Sequence, residues 1–175
     1  SDGTHIDNPE FFRKSEKRIK KLQQDLARKK RGSNNRYKAK RKLAIASERV
    51  KDQRNNFLHK LTTELVSEYG LFAVESLTVS NMVRNHNLEK SISDASWSRF
   101  IEILQYKAES AGIEFLMVPP FEPPTKRCSD CGHIREIALS ERVYVCPACG
   151  LILDRDENAA RNILSRAGGA RIHSC

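Results

Sequence analysis

The sequence contains no apolar run that approaches the ~20 residues needed to span a bilayer as a helix. Its first residues also lack the apolar core of a signal peptide. These absences argue against a membrane-spanning helix and indicate a reducing, cytoplasmic setting. A chain of 175 residues is long enough for one main domain and a small additional module.

Acidic residues are scarce in one part of the chain. Between Glu10 and Arg54 there are 18 Lys and Arg against 5 Asp and Glu, a local net charge of +13. The whole chain carries +9, so the remainder carries −4. A merely solvated helical surface usually mixes both signs. This excess therefore favours a polyanionic partner, and nucleic acid in particular.

The chain contains five cysteines, and most of them are grouped. Four of the five form two Cys-x-x-Cys pairs, Cys128/Cys131 and Cys146/Cys149, with fourteen residues between the pairs. Zn²⁺ takes four soft ligands in a tetrahedron, and a two-residue gap lets both thiolates of one turn reach one ion. Two disulfides or a redox Cys-x-x-Cys are the alternatives, but a doubled motif without a signal peptide favours zinc. The fifth, Cys175, is expected to be an idle thiol.

The residues around the cysteines indicate a small ribbon. Gly132 and Gly150 each follow the second cysteine of a pair, where a tight turn often needs a positive φ. Val143, Tyr144 and Val145 are β-formers between the pairs, which predicts a short hairpin.

A segment rich in carboxylates follows the second pair. The apolar stretch 151–153 ends at Asp154 and runs into a helical pattern. Asp154 as N-cap and Glu157 three residues later would form a capping box. That interpretation leaves Asp156 without a structural role, so we expect it to be a ligand for a hard cation such as Mg²⁺.

The basic part of the chain has the pattern of a helical hairpin. Phe12, Ile19, Leu22 and Leu26 recur at helical spacing, and a turn at 32–35 ends this first helix. A second helix is predicted from about residue 35 to 70, with an apolar stripe along one side. The stripe consists of Leu43, Ala46, Val50, Phe57, Leu61 and Leu65. Candidate nucleic-acid-binding residues surround the turn: Arg28, Lys29, Lys30, Arg31, Arg36, Lys38, Lys40 and Arg41.

The middle of the chain predicts two strands separated by a helix. The apolar run 71–74 is typical of a buried parallel strand, and Glu75 stands at its carboxyl end. Ligands of open α/β sheets gather at that end, so Glu75 is either a strand-end cap or a site residue. A helix with Trp97, Phe100, Ile101, Leu104 and Ala108 facing inward precedes a second strand at 113–118.

With these motifs in place, the chain resembles the C-terminal half of TnpB/OrfB proteins, transposon-encoded relatives of the type V CRISPR effector nucleases. The matching segments are KLQQDLARKKRGSNNRYKAK, LHKLTTELV, FAVESLTVSNM, NHNLEKSISDASWSRFIEILQYKAESAG, CSDCG, CPACG and LDRDENAARNIL. The resemblance implies an α/β, RNase H-like (RuvC-type) core with a long helical hairpin and an inserted zinc ribbon. The implied partners are DNA and a guide RNA.

The resemblance also implies roles for two acids. The family's second catalytic carboxylate falls on Glu75 and its third on Asp156, which would hold catalytic Mg²⁺ or Mn²⁺. The first catalytic Asp belongs to a strand that would precede residue 1. We therefore expect an incomplete C-terminal portion that lacks the first strand of the core and is inactive alone.

The implied organisation has three parts. Residues 1–125 form the first part of the core, with the basic hairpin at 9–69. Residues 126–152 form the zinc ribbon, and residues 153–175 form the last core motif with its helix and a flexible tail. The alternative to a metal-dependent endonuclease is a zinc-ribbon nucleic-acid-binding protein without catalysis.

Overall fold

The structure is a computed structural model that describes residues 3–76, 96–119, 124–138 and 140–172. The described part contains four helices and two small sheets, an α/β arrangement. It divides into two compact units. One unit comprises residues 7–68 and 78–111, and the other comprises residues 1–6, 69–77 and 112–175.

The first unit begins with the predicted helical hairpin. Helix α1 spans Phe11–Ala27 and α2 spans Asn34–Glu68. Ser33 caps α2, since its Oγ accepts a hydrogen bond from the Arg36 amide at 3.2 Å. Ile19 of α1 and Ala46 and Val50 of α2 form the buried core between the two helices. The turn and this part of the apolar stripe are as predicted.

Beyond Val50, the buried side of α2 differs from the prediction. Leu58 and Thr62 are buried there, whereas Leu61 and Leu65 are only half-buried. This half of α2 packs against α3, Trp97–Ser110, as well as against α1, whose Phe11 ring lies 6.2 Å from the Phe57 ring between centroids. A long helix with two different neighbours presents two different faces, which a single stripe does not capture. Thr62 satisfies its hydroxyl by donating to the Leu58 carbonyl at 2.7 Å.

Helix α3 contributes its own buried residues to this contact. Ile103, Leu104 and Ala108 are buried, whereas the predicted inward residue Trp97 is 38% exposed. Of the predicted inward residues, Leu104 and Ala108 are buried and Phe100 and Ile101 are half-buried, whereas the buried Ile103 was not predicted.

The second unit contains a parallel pair of strands, as the sequence predicts. Strand β1 spans Leu71–Glu75 and β2 spans Glu114–Val118, in the register Leu71 to Glu114 and Glu75 to Val118. The Ser76 amide donates to the Val118 carbonyl at 2.9 Å and continues the pairing past Glu75. The side chains of β1 are half-buried rather than fully buried.

A ribbon and a final helix complete this unit. Strands β3, Val143–Val145, and β4, Ile152–Asp154, pair antiparallel and confirm the predicted hairpin. Helix α4, Arg155–Ile172, begins directly after β4 and packs against both β1 and β2. The ribbon therefore returns the chain to the parallel pair without an intervening loop.

Candidate metal centre and nucleic-acid interface

The first cysteine pair lies in a tight knuckle. The Cys128 amide donates to the His133 carbonyl at 2.8 Å, and the Gly132 amide donates to the Cys128 carbonyl at 3.1 Å. Gly132 has a φ of 75°, the positive value predicted for it. The turn places both thiols of the pair on the same side.

The second pair repeats this knuckle. The Cys146 amide donates to the Leu151 carbonyl at 2.8 Å, the Gly150 amide donates to the Cys146 carbonyl at 3.0 Å, and Gly150 has a φ of 77°. The same backbone pattern thus occurs twice, and each copy presents two sulfurs.

The four sulfurs converge on one point. All four Sγ atoms lie within 4.8 Å of one another, with Cys128 to Cys149 at 3.7 Å and Cys131 to Cys146 at 3.5 Å. Zn–S bonds of about 2.3 Å in a tetrahedron place sulfurs about 3.8 Å apart. The thiols are free rather than joined in disulfides. The donor set and its spacing therefore fit one tetrahedral Zn²⁺.

The acidities of the thiols fit a cation site. The amides of Cys149 and then Ala148 donate to the Cys146 sulfur, and the pKa of Cys146 falls from 9.0 to about 6. The Leu151 amide favours the Cys149 thiolate, but desolvation and the neighbouring sulfurs outweigh it and raise the pKa of Cys149 to about 12. Four adjacent sulfurs cannot all ionise without a compensating positive charge. A divalent cation would supply that charge.

A buried tyrosine supports the first knuckle. Tyr144 is fully buried, and its hydroxyl lies 3.2 Å from the Lys126 carbonyl and 3.3 Å from the His133 carbonyl. The Arg135 guanidinium covers the ring at 5.1 Å and pairs with Glu141 at 2.9 Å. These contacts keep the ribbon compact although each of its strands has only three residues.

Two asparagines of α4 bind the backbone beside this knuckle. Asn158 is fully buried; it accepts from the Ser129 amide at 2.9 Å and donates to the Arg127 carbonyl at 2.7 Å. Asn162, one turn later, donates to the Arg127 carbonyl at 2.7 Å and to the Pro124 carbonyl at 2.8 Å. These two residues were not among the predicted site residues. The available signal was the i, i+4 spacing of two poor helix formers inside a helix.

The start of α4 has the predicted cap. Asp154 Oδ1 accepts from the amides of Asp156 at 2.8 Å and Glu157 at 3.2 Å. These amides, that of Asp156 first, hold the pKa of Asp154 below its ordinary value of 3.8. Glu157 accepts from Arg161 at 2.7 Å rather than completing the predicted capping box. Asp154 is therefore the structural acid of this segment.

The two acids predicted as catalytic lie in the second unit. Glu75 is half-buried at the carboxyl end of β1, and Asp156 lies in the first turn of α4, which packs against β1. The Asp156 side chain is 63% exposed, and its Oδ1 accepts from Arg155 Nε at 3.2 Å. Within the described ranges, only the four cysteines form a group of three or more ligands close enough to share a metal. Glu75 and Asp156 thus remain predicted site residues.

The basic turn between α1 and α2 is exposed, with one exception. Arg36 Nη1 donates to the Leu26 carbonyl at 3.0 Å and the Lys29 carbonyl at 3.2 Å, so it caps the end of α1. The other seven predicted residues are exposed and have no ion pair within the described part of the chain. They are Arg28, Lys29, Lys30, Arg31, Lys38, Lys40 and Arg41.

A groove beside this turn extends the basic surface. Its volume is about 420 Å³, and Lys29, Lys38 and Lys42 line it together with Asp25 and Leu22. Three cations face one carboxylate there, so the groove favours an anionic occupant.

Across the described residues, no helix is long and apolar enough to cross a membrane.

Two family models match the chain. The family described as "Probable transposase" matches residues 1–86, and the family described as "Cas12f1-like, TNB domain" matches residues 97–163. The second match includes the four cysteines and both asparagines of α4.

Curated relatives match over the whole chain. A Streptomyces pristinaespiralis protein named "Putative RNA-guided DNA endonuclease" is 42% identical over 100% of this chain and 43% of its own length. An Escherichia coli K12 protein with the same designation is 34% identical over 100% of this chain and 47% of its own length. The chain thus spans somewhat less than half the length of these relatives.

A solved structure supports the fold. The chain from "Cryo-EM structure of the Cas12f1-sgRNA-target DNA complex" matches with a TM-score of 0.60 and 20% identity, over 90% of this chain and 42% of that one. At this identity the match shows a shared fold. Taken with the two family models and the curated relatives, it shows that the chain belongs to the TnpB/OrfB family of transposase-associated proteins.

Proposed function

We propose that this chain forms part of a RuvC-like, metal-dependent DNA endonuclease that acts with a guide RNA. In this proposal residues 1–125 and 153–175 contribute to an RNase H-like core, and residues 126–152 form a zinc ribbon inserted into it. The names of the curated relatives and the shared fold with a Cas12f1 chain support the proposal.

One observation carries the proposal. Strand β4 returns from the cysteine cluster and passes directly into α4, whose first turn holds Asp156. This helix packs against the parallel pair in which Glu75 ends β1. Glu75 at the end of β1 and Asp156 at the start of α4 thus belong to two elements that pack against each other within one unit. That arrangement suits a site at the carboxyl ends of parallel strands.

The two acids would hold a divalent cation. Mg²⁺ and Mn²⁺ prefer carboxylate oxygens, which Glu75 and Asp156 supply. When bound, the cation would stabilise charge on the phosphodiester and activate the attacking water. Glu75 is half-buried, whereas Asp156 is exposed and turned toward Arg155, so Asp156 has to exchange that partner for the cation.

The zinc and the basic turn would have separate roles. Zn²⁺ held by Cys128, Cys131, Cys146 and Cys149 would be structural, because four protein ligands leave no open position for substrate. The seven exposed cations of the hairpin turn and the groove beside them would contact phosphates of DNA or RNA.

Cleavage assays on single-residue variants test the catalytic role. Because the 175-residue chain is expected to be inactive alone, the assay uses a longer protein in which the strand with the first catalytic Asp precedes residue 1. This protein, supplied with guide RNA and Mg²⁺, is incubated with double-stranded target DNA. Glu75→Gln and Asp156→Asn should each reduce the cleavage rate about 100-fold or more, because a Lewis-acid cation supplies several kcal/mol of stabilisation. Guide and target binding should persist in both variants.

A matched carboxylate provides the control. Glu109 is exposed on α3 and accepts from Gln105 at 2.9 Å, so Glu109→Gln should cleave at the normal rate. Normal cleavage by both site variants would contradict the assignment of the two acids.

The alternative function is nucleic-acid binding without catalysis. One observation favours it: among the described residues, the four cysteines form the only group of three or more ligands close enough to share a metal ion. Guide-dependent DNA binding with no Mg²⁺-dependent cleavage would establish that alternative.

A further inference from the structure

The asparagines of α4 occupy positions that helix formation does not explain. Asparagine is a poor interior helix former, and a fully buried amide is costly unless every polar atom finds a partner. Asn158 meets that requirement through Ser129 and Arg127, and Asn162 donates to Arg127 and Pro124. These hydrogen bonds all lead out of the helix to main-chain atoms of the segment 124–129. The amides therefore join two elements rather than stabilise one.

The bonded segment surrounds a predicted zinc ligand. Arg127 and Ser129 are the two neighbours of Cys128, and Asn158 bonds to both of them. The backbone on each side of Cys128 is thus fixed to one side chain of α4. Because a thiolate ligand moves with its backbone, the position of Cys128 in the sulfur cluster depends on the position of α4.

The same connection reaches the predicted catalytic acid. Asp156 precedes Asn158 by two residues and lies in the first helical turn, where helices tend to fray. The second knuckle leads into this turn through β4, and the first knuckle holds it through Asn158. Both halves of the sulfur cluster are therefore linked to the turn that contains Asp156, one through the main chain and one through a buried amide.

We propose that Asn158 and Asn162 are positioning residues that couple metal binding at the four cysteines to the order of the Asp156 turn. Zinc fixes the backbone around Cys128, this backbone fixes Asn158, and Asn158 fixes the first turn of α4. Coupling of this kind is reciprocal, so the factor by which zinc orders the turn equals the factor by which the ordered turn raises zinc affinity.

Amide hydrogen exchange and zinc affinity test the coupling directly. In the unmodified chain, removal of zinc with a chelator should increase exchange of the amides of 156–160 about tenfold or more. In Asn158→Ala these amides should exchange rapidly even with zinc bound. Competition with a chromophoric chelator should show zinc binding weakened by about tenfold, the low end of the effect of losing a supporting contact around a metal ligand.

Two further variants make the test specific. Asn162→Ala removes the bonds from Asn162 to Pro124 and Arg127 but leaves Asn158 bonded to Arg127 and Ser129, so it should give a smaller effect in the same direction. It also serves as the test if Asn158→Ala fails to fold. Arg161→Ala is the matched control, because Arg161 lies between the asparagines on the exposed side and pairs with Glu157. It should retain the zinc dependence of exchange and normal zinc affinity.

Zinc-dependent exchange that persists in Asn158→Ala and in Asn162→Ala, with unchanged zinc affinity, would overturn the inference. The consequence for Asp156 rests on the proposed function, but both measurements are made without nucleic acid or Mg²⁺. If the coupling is found and Asp156→Asn cleaves normally, the proposed function fails and the positioning role stands. If Asp156→Asn abolishes cleavage and the coupling is absent, only the positioning role fails.

Discussion

The hairpin of α1 and α2 and the cysteine ribbon reach an ordered structure by different means. The hairpin has long helices and an apolar core around Ile19, Ala46 and Val50. The ribbon has three-residue strands, and two of its most buried side chains are Cys128 and Cys146. Apolar burial therefore orders the hairpin, whereas the ribbon requires an additional stabilising group. The following predictions test this contrast, from the largest expected effect to the smallest.

Loss of one ligand should affect only the ribbon. Cys146→Ser should abolish zinc binding and disorder residues 126–152, because structural zinc contributes about 10–16 kcal/mol of apparent binding energy in small zinc domains. Helical circular dichroism should change little, since the hairpin core contains no ligand. Elemental analysis should find one zinc per unmodified chain and none in the variant. Cys175→Ser is the matched control and should retain zinc. Absence of zinc from the unmodified chain would contradict the prediction that zinc stabilises the ribbon.

A cavity in the hairpin should have the opposite effects: the hairpin should lose stability, and the ribbon should keep its zinc. Ile19 is 6% exposed, so Ile19→Ala should destabilise the hairpin by about 2–5 kcal/mol. Chemical unfolding followed by circular dichroism measures this change, and the zinc content should remain at one per chain. Ile45 is 55% exposed on α2, and Ile45→Ala should have little effect on stability. Loss of zinc from the Ile19 variant would show that the two regions do not fold independently.

The exposed charges of the hairpin should matter for binding and not for stability. Replacing Lys29, Lys30 and Arg31 with Ala should reduce the log–log salt slope of nucleic-acid affinity by about 0.7 to 0.9 per lost phosphate contact. Fluorescence anisotropy at several salt concentrations measures the slope. The matched triple Lys17, Lys20 and Lys21 to Ala removes equal charge from exposed positions of α1 away from the turn. An equal reduction in both triples would mean that the turn has no special role.

The cap of α4 should produce a small, pH-dependent effect. Asp154→Ala should cost about 1 kcal/mol, since two amides of the first turn lose their acceptor. The folded pKa of Asp154 lies below its ordinary value of 3.8, so its ionic stabilisation is present above that pH. It should be lost as pH falls through the folded pKa. Asp154→Asn retains an acceptor and should remove this pH dependence; the same pH dependence in Asp154→Asn would assign it to another group.

The elements of this chain were largely predictable because their signals are local. The knuckle glycines, the β-formers at 143–145 and the Asp154 cap each follow from a few adjacent residues. The buried face of α2 beyond Val50 was not predictable from local signals, because it depends on α3, which lies far away in the sequence. The hydrogen bonds of Arg36 and Asn158 were not predicted for the same reason: each side chain bonds to a carbonyl about ten or more residues away. Local charge alone does not distinguish Arg36 from the basic residues around it.

The contact of Arg36 with the end of α1 has a consequence for the energetics of recognition. A flexible basic loop loses backbone freedom when it binds a polyanion, and that lost entropy weakens the affinity. In this hairpin Arg36 and the Ser33 cap fix the turn during folding. The exposed cations therefore stand on a preorganised support, and a polyanion that binds them would need to immobilise only the side chains.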